Sequence, residues 1–371
     1  MEKLVEISRY YGQNKEYIIA GGGNTSVKDS DRLMIKASGF SLEKIDHDGF
    51  APLDRKKLAL ITSKTYSQDP LQREQQVKED LMNSRIDSEL RPSVESSLHD
   101  LIEYKYVVHT HPTFINALLC SKEVETQVKN LFPEEYLYVK YVDPGYILFK
   151  YVEEEIAKYE GRFNKQPQVI LMQNHGVFVG AETIEEIKNI YEQIERKVKM
   201  MLDMLMPATS ENLSALNKLT KLLQQTEAYR EQVILPHYHP LMENYLSDRS
   251  CFNQVNGPFI PDHIVYCKAY PLFLDLEESE INKNKIEMAI ADHLEKYGYE
   301  PKIIYLKGAG AVAIDQKESG ARIIKDLIDD ILLICHHAQS FGGPRFLTGQ
   351  DIQFIESWEV ENYRKKIADK V

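Results

Sequence analysis

Short apolar runs separated by polar, amphipathic segments dominate the chain and predict a mixed α/β fold. The runs at residues 17–20, 33–36, 107–111 and 169–172 are rich in aliphatic or β-branched residues, and a glycine or a proline follows each within a few residues, as in strands that lead into turns. Helical spacing of apolar residues follows in several segments: these are residues 2–11, 94–102, 113–131, 152–161 and a long stretch from about residue 183. An aromatic-rich passage at 136–149 reads as further strand.

A worn internal repeat links the two halves of the chain. PKIIYLKGAGAVAI at 301–314 aligns with PQVILMQNHGVFVG at 167–180 at an offset of 134, and a helix pattern follows both. The repeat predicts that the second half is a structural relative of the first. We therefore divide the chain into a first domain at 1–206, a helical linker at 207–250 and a degenerate repeat of the first domain at 251–371.

The second copy does not preserve every side chain of the first. His175 aligns with Ala309, so we expect the repeat to lack a metal site. Gly308 and Gly310 suggest a dinucleotide-binding loop, but a Rossmann fingerprint requires a helix directly after the glycines, and here a strand pattern continues. That reading is therefore disfavoured.

Composition narrows the class of protein. The 371 residues are 43% hydrophobic and 27% charged, as in folded soluble proteins, and a net charge of −12 argues against nucleic acid or an anionic membrane as a partner. The four cysteines are scattered without a CxxC pair, which favours reduced thiols. We expect a cytoplasmic protein without a membrane span.

Three histidines suggest a divalent-metal site. His109 and His111 are two residues apart in a strand, so their side chains share one face, and His175 stands at a glycine turn after another strand. Three imidazoles leave a tetrahedral metal one open position, as in catalytic sites. Glu95, at the start of a predicted helix, is a candidate general base. The alternatives are that one histidine of the pair is a buried hydrogen-bonding residue while the other lies on the surface, and that Glu95 is a plain first-turn carboxylate.

Two loops could bind an anion. Gly21, Gly22 and Gly23 precede Asn24, Thr25 and Ser26, and Ser38-Gly39 follows the second predicted strand. Glycines allow close approach of the backbone to a ligand, and short polar side chains supply hydrogen bonds. Most loops of this kind are only turns, so the pattern alone is weak.

Taken in order, the motifs resemble the class II aldolase/adducin family. The matching segments are GGGNTSVK at 21–28, KASGF at 36–40, PSVES at 92–96, HTHP at 109–112 and NHG at 174–176. KASGFSLEKIDHDGFAPLD, the spacing from PSVES to HTHP and PDHIVYCKAYP further resemble the aldolase half of bifunctional rhamnulose-1-phosphate aldolase/lactaldehyde dehydrogenases over nearly the full chain.

The resemblance implies a fold and a set of roles. The expected fold is α/β, with class II aldolase-like α/β/α layers around a mainly antiparallel sheet, followed by a degenerate copy. His109, His111 and His175 would bind a divalent metal, most plausibly Zn²⁺, and Glu95 would be the catalytic acid/base. The substrate phosphate would lie among five positions, Asn24, Ser26, Ser38, Gly39 and Ser93. Family aldolases also use a tyrosine from across a subunit contact, which the sequence does not identify among residues 136–146.

The implied activity is cleavage of a phosphorylated sugar, a ketose 1-phosphate such as rhamnulose 1-phosphate, to dihydroxyacetone phosphate and a small aldehyde such as lactaldehyde. The family also includes sugar-phosphate epimerases, dehydratases and decarboxylases with the same histidines, and adducin-like scaffolds without the metal site. Family aldolases are ring-shaped homo-oligomers, so the resemblance implies self-association. Metal content separates the enzymes from a scaffold, and the reaction products separate the enzymes from one another.

Overall fold

The protein folds into two regions, each built on its own β-sheet. The computed structural model describes residues 1–132, 136–203 and 213–357. Within these residues the first sheet has seven strands in the order β3-β2-β1-β4-β7-β6-β5, and all neighbouring pairs except β5 and β6 are antiparallel. The strands are β1 (Asn24–Lys28), β2 (Arg32–Lys36), β3 (Phe50–Asp54), β4 (Tyr106–Thr110), β5 (Leu137–Val139), β6 (Val169–Met172) and β7 (Gly176–Ala181).

Helices cover both faces of this sheet. Helices α1, α5, α6 and α8 bury their apolar stripes on one face, and α2, α3, α4 and α7 bury theirs on the other. Their bounds are α1 (Glu2–Gly12), α2 (Arg55–Ser63), α3 (Pro70–Asn83), α4 (Ser96–Leu101), α5 (Thr113–Leu119), α6 (Val124–Leu131), α7 (Tyr146–Phe163) and α8 (Ile184–Lys199). A short 3₁₀ helix spans His47–Gly49. The predicted α/β/α layers around a mainly antiparallel sheet are confirmed.

Local sequence explains the helices that frame the site. In α8 the side chain of Thr183 accepts a hydrogen bond from the Glu186 backbone N–H, which caps the helix, and apolar residues at helical spacing face the sheet. The helix predicted at 113–131 is instead two helices, α5 and α6, because the chain turns at residues 120–123. Residues 17–20, predicted as a strand, form turns.

The second region has a four-stranded sheet, within the described residues, in the order β8-β11-β10-β9. Its strands are β8 (Val233–His237), β9 (Leu272–Leu274), β10 (Ile303–Leu306) and β11 (Gly310–Asp315). Its helices are α9 (Leu213–Leu223), α10 (Met242–Tyr245), α11 (Arg249–Phe252), α12 (Pro261–Cys267), α13 (Lys283–Tyr297), α14 (Glu318–Ala338) and α15 (Gly349–Ser357), with 3₁₀ helices at Glu278–Glu280 and Gln339–Phe341.

The second sheet repeats part of the first. β8, β11, β10 and β9 have the neighbours and directions of β4, β7, β6 and β5, including the single parallel pair. Register also matches, because Leu306 pairs with Gly310 as Met172 pairs with Gly176. The repeat seen in the sequence therefore extends to strand order, direction and register.

The predicted helical linker at 207–250 needs correction. Residues 233–237 form β8 and pair with β11, so part of that segment belongs to the second sheet because its aliphatic residues complete the sheet's edge. The boundary predicted at residue 206 lies outside the described residues.

The two regions pack directly against each other. Helix α14 lies against α5, where the Thr113 hydroxyl donates a 2.5 Å hydrogen bond to Asp330, and Ile19, Ala20 and Cys120 of the first region join the core beneath α14. Among the described helices, none combines the length and the apolar character needed to cross a bilayer.

Candidate metal centre and cleft

Three histidines converge where β4 and the β6–β7 turn meet. His109 is the penultimate residue of β4, His111 follows that strand, and His175 occupies the tight turn between Met172 and Gly176. The ligand-capable nitrogens of His109, His111 and His175 all lie within 4.8 Å of one another, and all three residues are buried. The structure therefore brings together the three histidines singled out in the sequence.

Gly176 is required by this close packing. A Cβ at Gly176 would lie 2.4 Å from the Thr110 carbonyl oxygen and 2.8 Å from Cδ2 of His111. Both distances are shorter than real Cβ contacts, so a side chain here would displace β4 or the His111 ring. The glycine after His175 lets the turn approach the two other imidazoles.

Hydrogen bonds to Nδ1 fix the tautomer and the ring orientation of His109 and His111. Nδ1 of His109 faces the Val177 carbonyl oxygen at 3.0 Å, and Nδ1 of His111 faces Oδ2 of Asp262 at 2.6 Å. Both partners are acceptors, so each Nδ1 donates a proton. In the neutral rings each Nε2 then carries a lone pair directed into the site.

The arrangement of these lone pairs is typical of a cation-binding site. The Nε2 atoms of His109 and His111 are only 3.0 Å apart, and two acceptors at that distance repel unless a proton or a metal ion lies between them. Burial lowers the pKa of His109 well below its usual value, so this ring stays neutral and ready to bind metal. Three imidazole nitrogens fit a first-row divalent ion such as zinc.

Glu95 lies against the same nitrogens. It occupies the N-cap position of α4, and its Oε1 is 3.4 Å from Nε2 of His109 and 3.3 Å from Nε2 of His175. Its Oε2 accepts a 2.5 Å hydrogen bond from the Asn24 side-chain amide. One carboxylate oxygen thus faces the candidate metal position while the other is held by Asn24.

A buried polar chain orients that amide. His99 Nε2 contacts Oδ1 of Asn24, and His99 Nδ1 is 2.8 Å from the Ser26 hydroxyl. Since Asn24 Oδ1 can only accept, His99 Nε2 is protonated and its Nδ1 accepts from Ser26. The Asn24 NH₂ is left facing Glu95 and, at 3.1 Å, Ser93. Ser26 and His99 therefore fix the group that holds Glu95.

His99 should make folding stability depend on pH. Burial lowers its pKa to about 3, so below pH ~6.5 the unfolded chain binds a proton that the folded chain refuses, and stability falls as pH falls. The slope from this group is about 1.4 kcal/mol per pH unit between its two pKa values. We expect His99→Gln, which can serve both partners, to remove that slope between pH 4.5 and 6, measured by urea unfolding. An unchanged slope would contradict a neutral buried His99.

A cleft of about 510 Å³ adjoins the site and is lined by both regions. Four of the five predicted phosphate-contacting residues line it, namely Asn24, Ser38, Gly39 and Ser93. Ser26 is the exception: it is fully buried, and its hydroxyl is engaged with His99 rather than directed to the cleft. Ser26 shares one face of β1 with Asn24, so its separation from the cleft comes from its contact with His99 and not from the face of the strand.

Three cleft or site residues were not identified from the sequence. Lys36 is buried beside the cleft and donates to the Gly21 and Gly23 carbonyl oxygens at 3.1 Å each. Tyr266 lines the cleft and accepts a 3.2 Å hydrogen bond from the Gly21 N–H, and Asp262 contacts His111. Lys36 begins the KASGF motif and the other two belong to PDHIVYCKAYP, so the motifs themselves were the available signal.

Comparison with known proteins identifies relatives of the first region. A family model described as the Class II Aldolase and Adducin N-terminal domain matches residues 2–202. The chain is 25% identical over 198 residues to L-fuculose phosphate aldolase of Methanocaldococcus jannaschii, covering 51% of this chain and 88% of that protein. The chain is also similar to the structure of the N-terminal class II aldolase domain of a conserved protein from Thermoplasma acidophilum, with 25% sequence identity and a TM-score of 0.46. The match covers 53% of this chain and 91% of that structure.

A longer relative matches both regions. The chain is 22% identical over 412 aligned positions to an uncharacterized oxidoreductase, YuxG, of Bacillus subtilis, and the alignment covers 99% of this chain. The chain spans 58% of the length of that relative.

Proposed function

The chain belongs to the class II aldolase and adducin family, whose model spans more than half of its residues, and we propose that it is a metal-dependent aldolase acting on a ketose 1-phosphate. The products would be dihydroxyacetone phosphate and a small aldehyde, with rhamnulose 1-phosphate and lactaldehyde as the leading pair. The observation that carries the proposal is the convergence of three histidine nitrogens and the Glu95 carboxylate beside the polar cleft.

The residues of the site fit the proposed chemistry. His109, His111 and His175 would hold the divalent ion, most plausibly Zn²⁺. When bound, such an ion supplies Lewis-acid polarisation of the substrate carbonyl, which stabilises the charge that develops as the carbon–carbon bond breaks. Glu95 moves the proton on the carbon next to that carbonyl, and the Asn24 amide keeps its carboxylate oriented toward the histidines.

The cleft supplies a position for the phosphate. Ser93 offers a hydroxyl, and Ser38 offers a second one, which donates to the Pro92 carbonyl oxygen at 3.0 Å and would turn to the phosphate on binding. Gly39 has a φ of +98°, and Lys36 is a buried lysine next to them. A phosphate held there would fix the sugar relative to the metal, and positioning of this kind accounts for a large share of catalytic power.

Ser38 and Ser26 allow the phosphate proposal to be tested by contrast. Ser38→Ala removes a hydroxyl from the cleft wall, and we expect KM for the phosphorylated sugar to rise tenfold or more, as loss of a hydrogen bond of about 1.5–3 kcal/mol to a charged group would cause. Ser26→Ala should leave KM within a factor of two or three and instead cost about 1–3 kcal/mol of unfolding free energy, because His99 loses its donor. Equal effects of Ser38→Ala and Ser26→Ala on KM would contradict the proposal that Ser38 contacts the phosphate and Ser26 does not.

The activity itself is tested by metal content coupled to product release. Purified protein is analysed for metal, and dihydroxyacetone phosphate is followed enzymatically with rhamnulose 1-phosphate and fuculose 1-phosphate, before and after chelation. We expect about one metal per chain, chelator-sensitive cleavage and a preference for one sugar. Metal without cleavage would favour an epimerase, dehydratase or decarboxylase, and protein without metal would favour a scaffold.

A further inference from the structure

Helix α12 of the second region contacts the metal centre of the first. Asp262 lies in the first turn of α12, and its Oδ2 is 2.6 Å from Nδ1 of His111, although 151 residues separate the two in sequence. Asp262 is 3% exposed and His111 is 8% exposed, so water screens the contact little. A charged acceptor at this distance makes a strong hydrogen bond.

The glycine loop provides the space for that contact. A Cβ at Gly22 would lie 2.5 Å from Asp262 Oδ2 and 3.3 Å from Nδ1 of His111. Gly22 does not have a positive φ, so a side chain there is limited by space and not by a left-handed backbone. The Asp262 carboxylate takes most of that space, and the Ile19 carbonyl oxygen lies 3.2 Å from the same Cβ position. One turn further along α12, the Tyr266 hydroxyl accepts from the Gly21 N–H.

A carboxylate on the outer nitrogen of a metal-binding imidazole has a defined effect. It fixes the tautomer and the ring orientation and makes the inner nitrogen a better donor to the metal. The Val177 carbonyl plays this part for His109 from within the first region. For His111 the corresponding partner is Asp262, which comes from the second region. Unlike the Val177 carbonyl, Asp262 carries a formal charge.

We propose that Asp262 is a positioning residue of the metal centre, and that the second region thereby completes a site whose ligands all lie in the first. The inference rests on the proposed function, because it assumes that the three histidines bind a divalent ion. It assigns the second region a role in metal affinity, although that region has no copy of the three-histidine cluster among its described residues.

Zinc affinity of the full chain is the direct test. Apo protein is titrated with zinc in competition with a chromophoric chelator, for the wild type, Asp262→Asn and Asp262→Ala. We expect Asp262→Ala to weaken the zinc Kd by about 10–100-fold, as loss of an outer carboxylate does at other metal sites. Asp262→Asn, which keeps an acceptor of the same shape without the charge, should weaken it less and guards against misfolding of the alanine variant.

Asp329 provides a control. It is an aspartate of α14 paired with a histidine outside the cluster, since its Oδ1 is 2.6 Å from Nε2 of His237. Its neighbour Asp330 is unsuitable, because that carboxylate holds Thr113, two residues after His111, and His263, next to Asp262. We expect Asp329→Asn to leave the zinc Kd within twofold of the wild-type value. The visible spectrum of the Co²⁺-loaded protein should change in the Asp262 variants and stay unchanged in the control, because only the former remove the hydrogen-bond partner of a ligand, His111.

Gly22→Ala tests the contact between Asp262 and His111 from the side of the glycine loop. Its methyl group should displace the Asp262 carboxylate and weaken zinc binding in the wild-type background. The effect should be smaller once Asp262 is alanine, because only the milder contacts with the Ile19 carbonyl oxygen at 3.2 Å and His111 Nδ1 at 3.3 Å remain. Wild-type zinc affinity and Co²⁺ spectra in both Asp262 variants would overturn the inference, as would equal weakening by Asp329→Asn. A wild-type protein that binds zinc but cleaves no sugar phosphate contradicts only the proposed reaction. A wild-type protein that binds no zinc overturns both.

Discussion

His175→Ala is expected to abolish tight metal binding and, with it, sugar-phosphate cleavage. His175 Nε2 lies within the same 4.8 Å cluster as the nitrogens of His109 and His111, and removing one of three protein ligands leaves a two-histidine site. Catalytic zinc sites keep three protein ligands, so we expect the two remaining histidines to bind the ion much more weakly. We expect metal content by mass spectrometry to fall from about one per chain to less than about a tenth.

The second region contains a natural control for this experiment. His237 and His239 repeat the His-x-His spacing at the end of β8, but His237 bonds Asp329 at 2.6 Å and His239 Nδ1 accepts from the Leu241 N–H at 3.2 Å. His239→Ala should therefore leave metal content and cleavage unchanged. Full zinc occupancy in dialysed His175→Ala would contradict the three-histidine assignment, and metal loss in His239→Ala would point to a second site.

Local rules were sufficient to predict that the three histidines of the candidate centre lie together. The period of two in a strand places His109 and His111 on one face, and a strand followed by a glycine turn brings His175 beside them. The same rules do not separate Asn24 from Ser26, because the two side chains share one face of β1. Asn24 lines the cleft, whereas Ser26 lies further along the strand and is covered by His99. A three-glycine run does not reveal where the following strand begins.

Contacts between the regions could not be predicted in this way. Asp262 and His111 meet because α12 packs over the Gly21–Gly23 loop, and that packing depends on how two sheets and α14 assemble. No periodicity within either segment carries this information. Strand β8 was missed for a related reason, since its partner β11 lies more than seventy residues further along the chain.

The second copy of the fold keeps the framework of the first but lacks its histidines. The second keeps the strand order and register of the first, but Ala309 stands where His175 does, and Pro236 pairs within β8 and β11 where His109 pairs within β4 and β7. In place of ligands it contributes the wall of the cleft, through Tyr266 and Arg322. A degenerate repeat of this kind can be retained because it forms part of the site in the first region.

Glu95→Gln is expected to keep the metal and lose most of the turnover. Glutamine has nearly the same shape, and its side-chain oxygen can still accept from the Asn24 amide, so the fold and the histidine cluster should be preserved. The amide cannot take up or release the proton of the reacting carbon. Loss of a general acid/base costs about 10²–10⁴-fold, and we expect kcat to fall by that factor with metal content unchanged.

Proton exchange isolates this role from the rest of the reaction. Dihydroxyacetone phosphate is incubated with the enzyme in D₂O without aldehyde, and exchange at the carbon next to the carbonyl is followed by NMR. Wild-type protein should catalyse the exchange and Glu95→Gln should not, whereas Glu103→Gln, an exposed glutamate just beyond α4, should match the wild type. Exchange and cleavage at wild-type rates in Glu95→Gln would remove Glu95 from proton transfer. Normal exchange with slow cleavage would assign it to the carbon–carbon bond step instead.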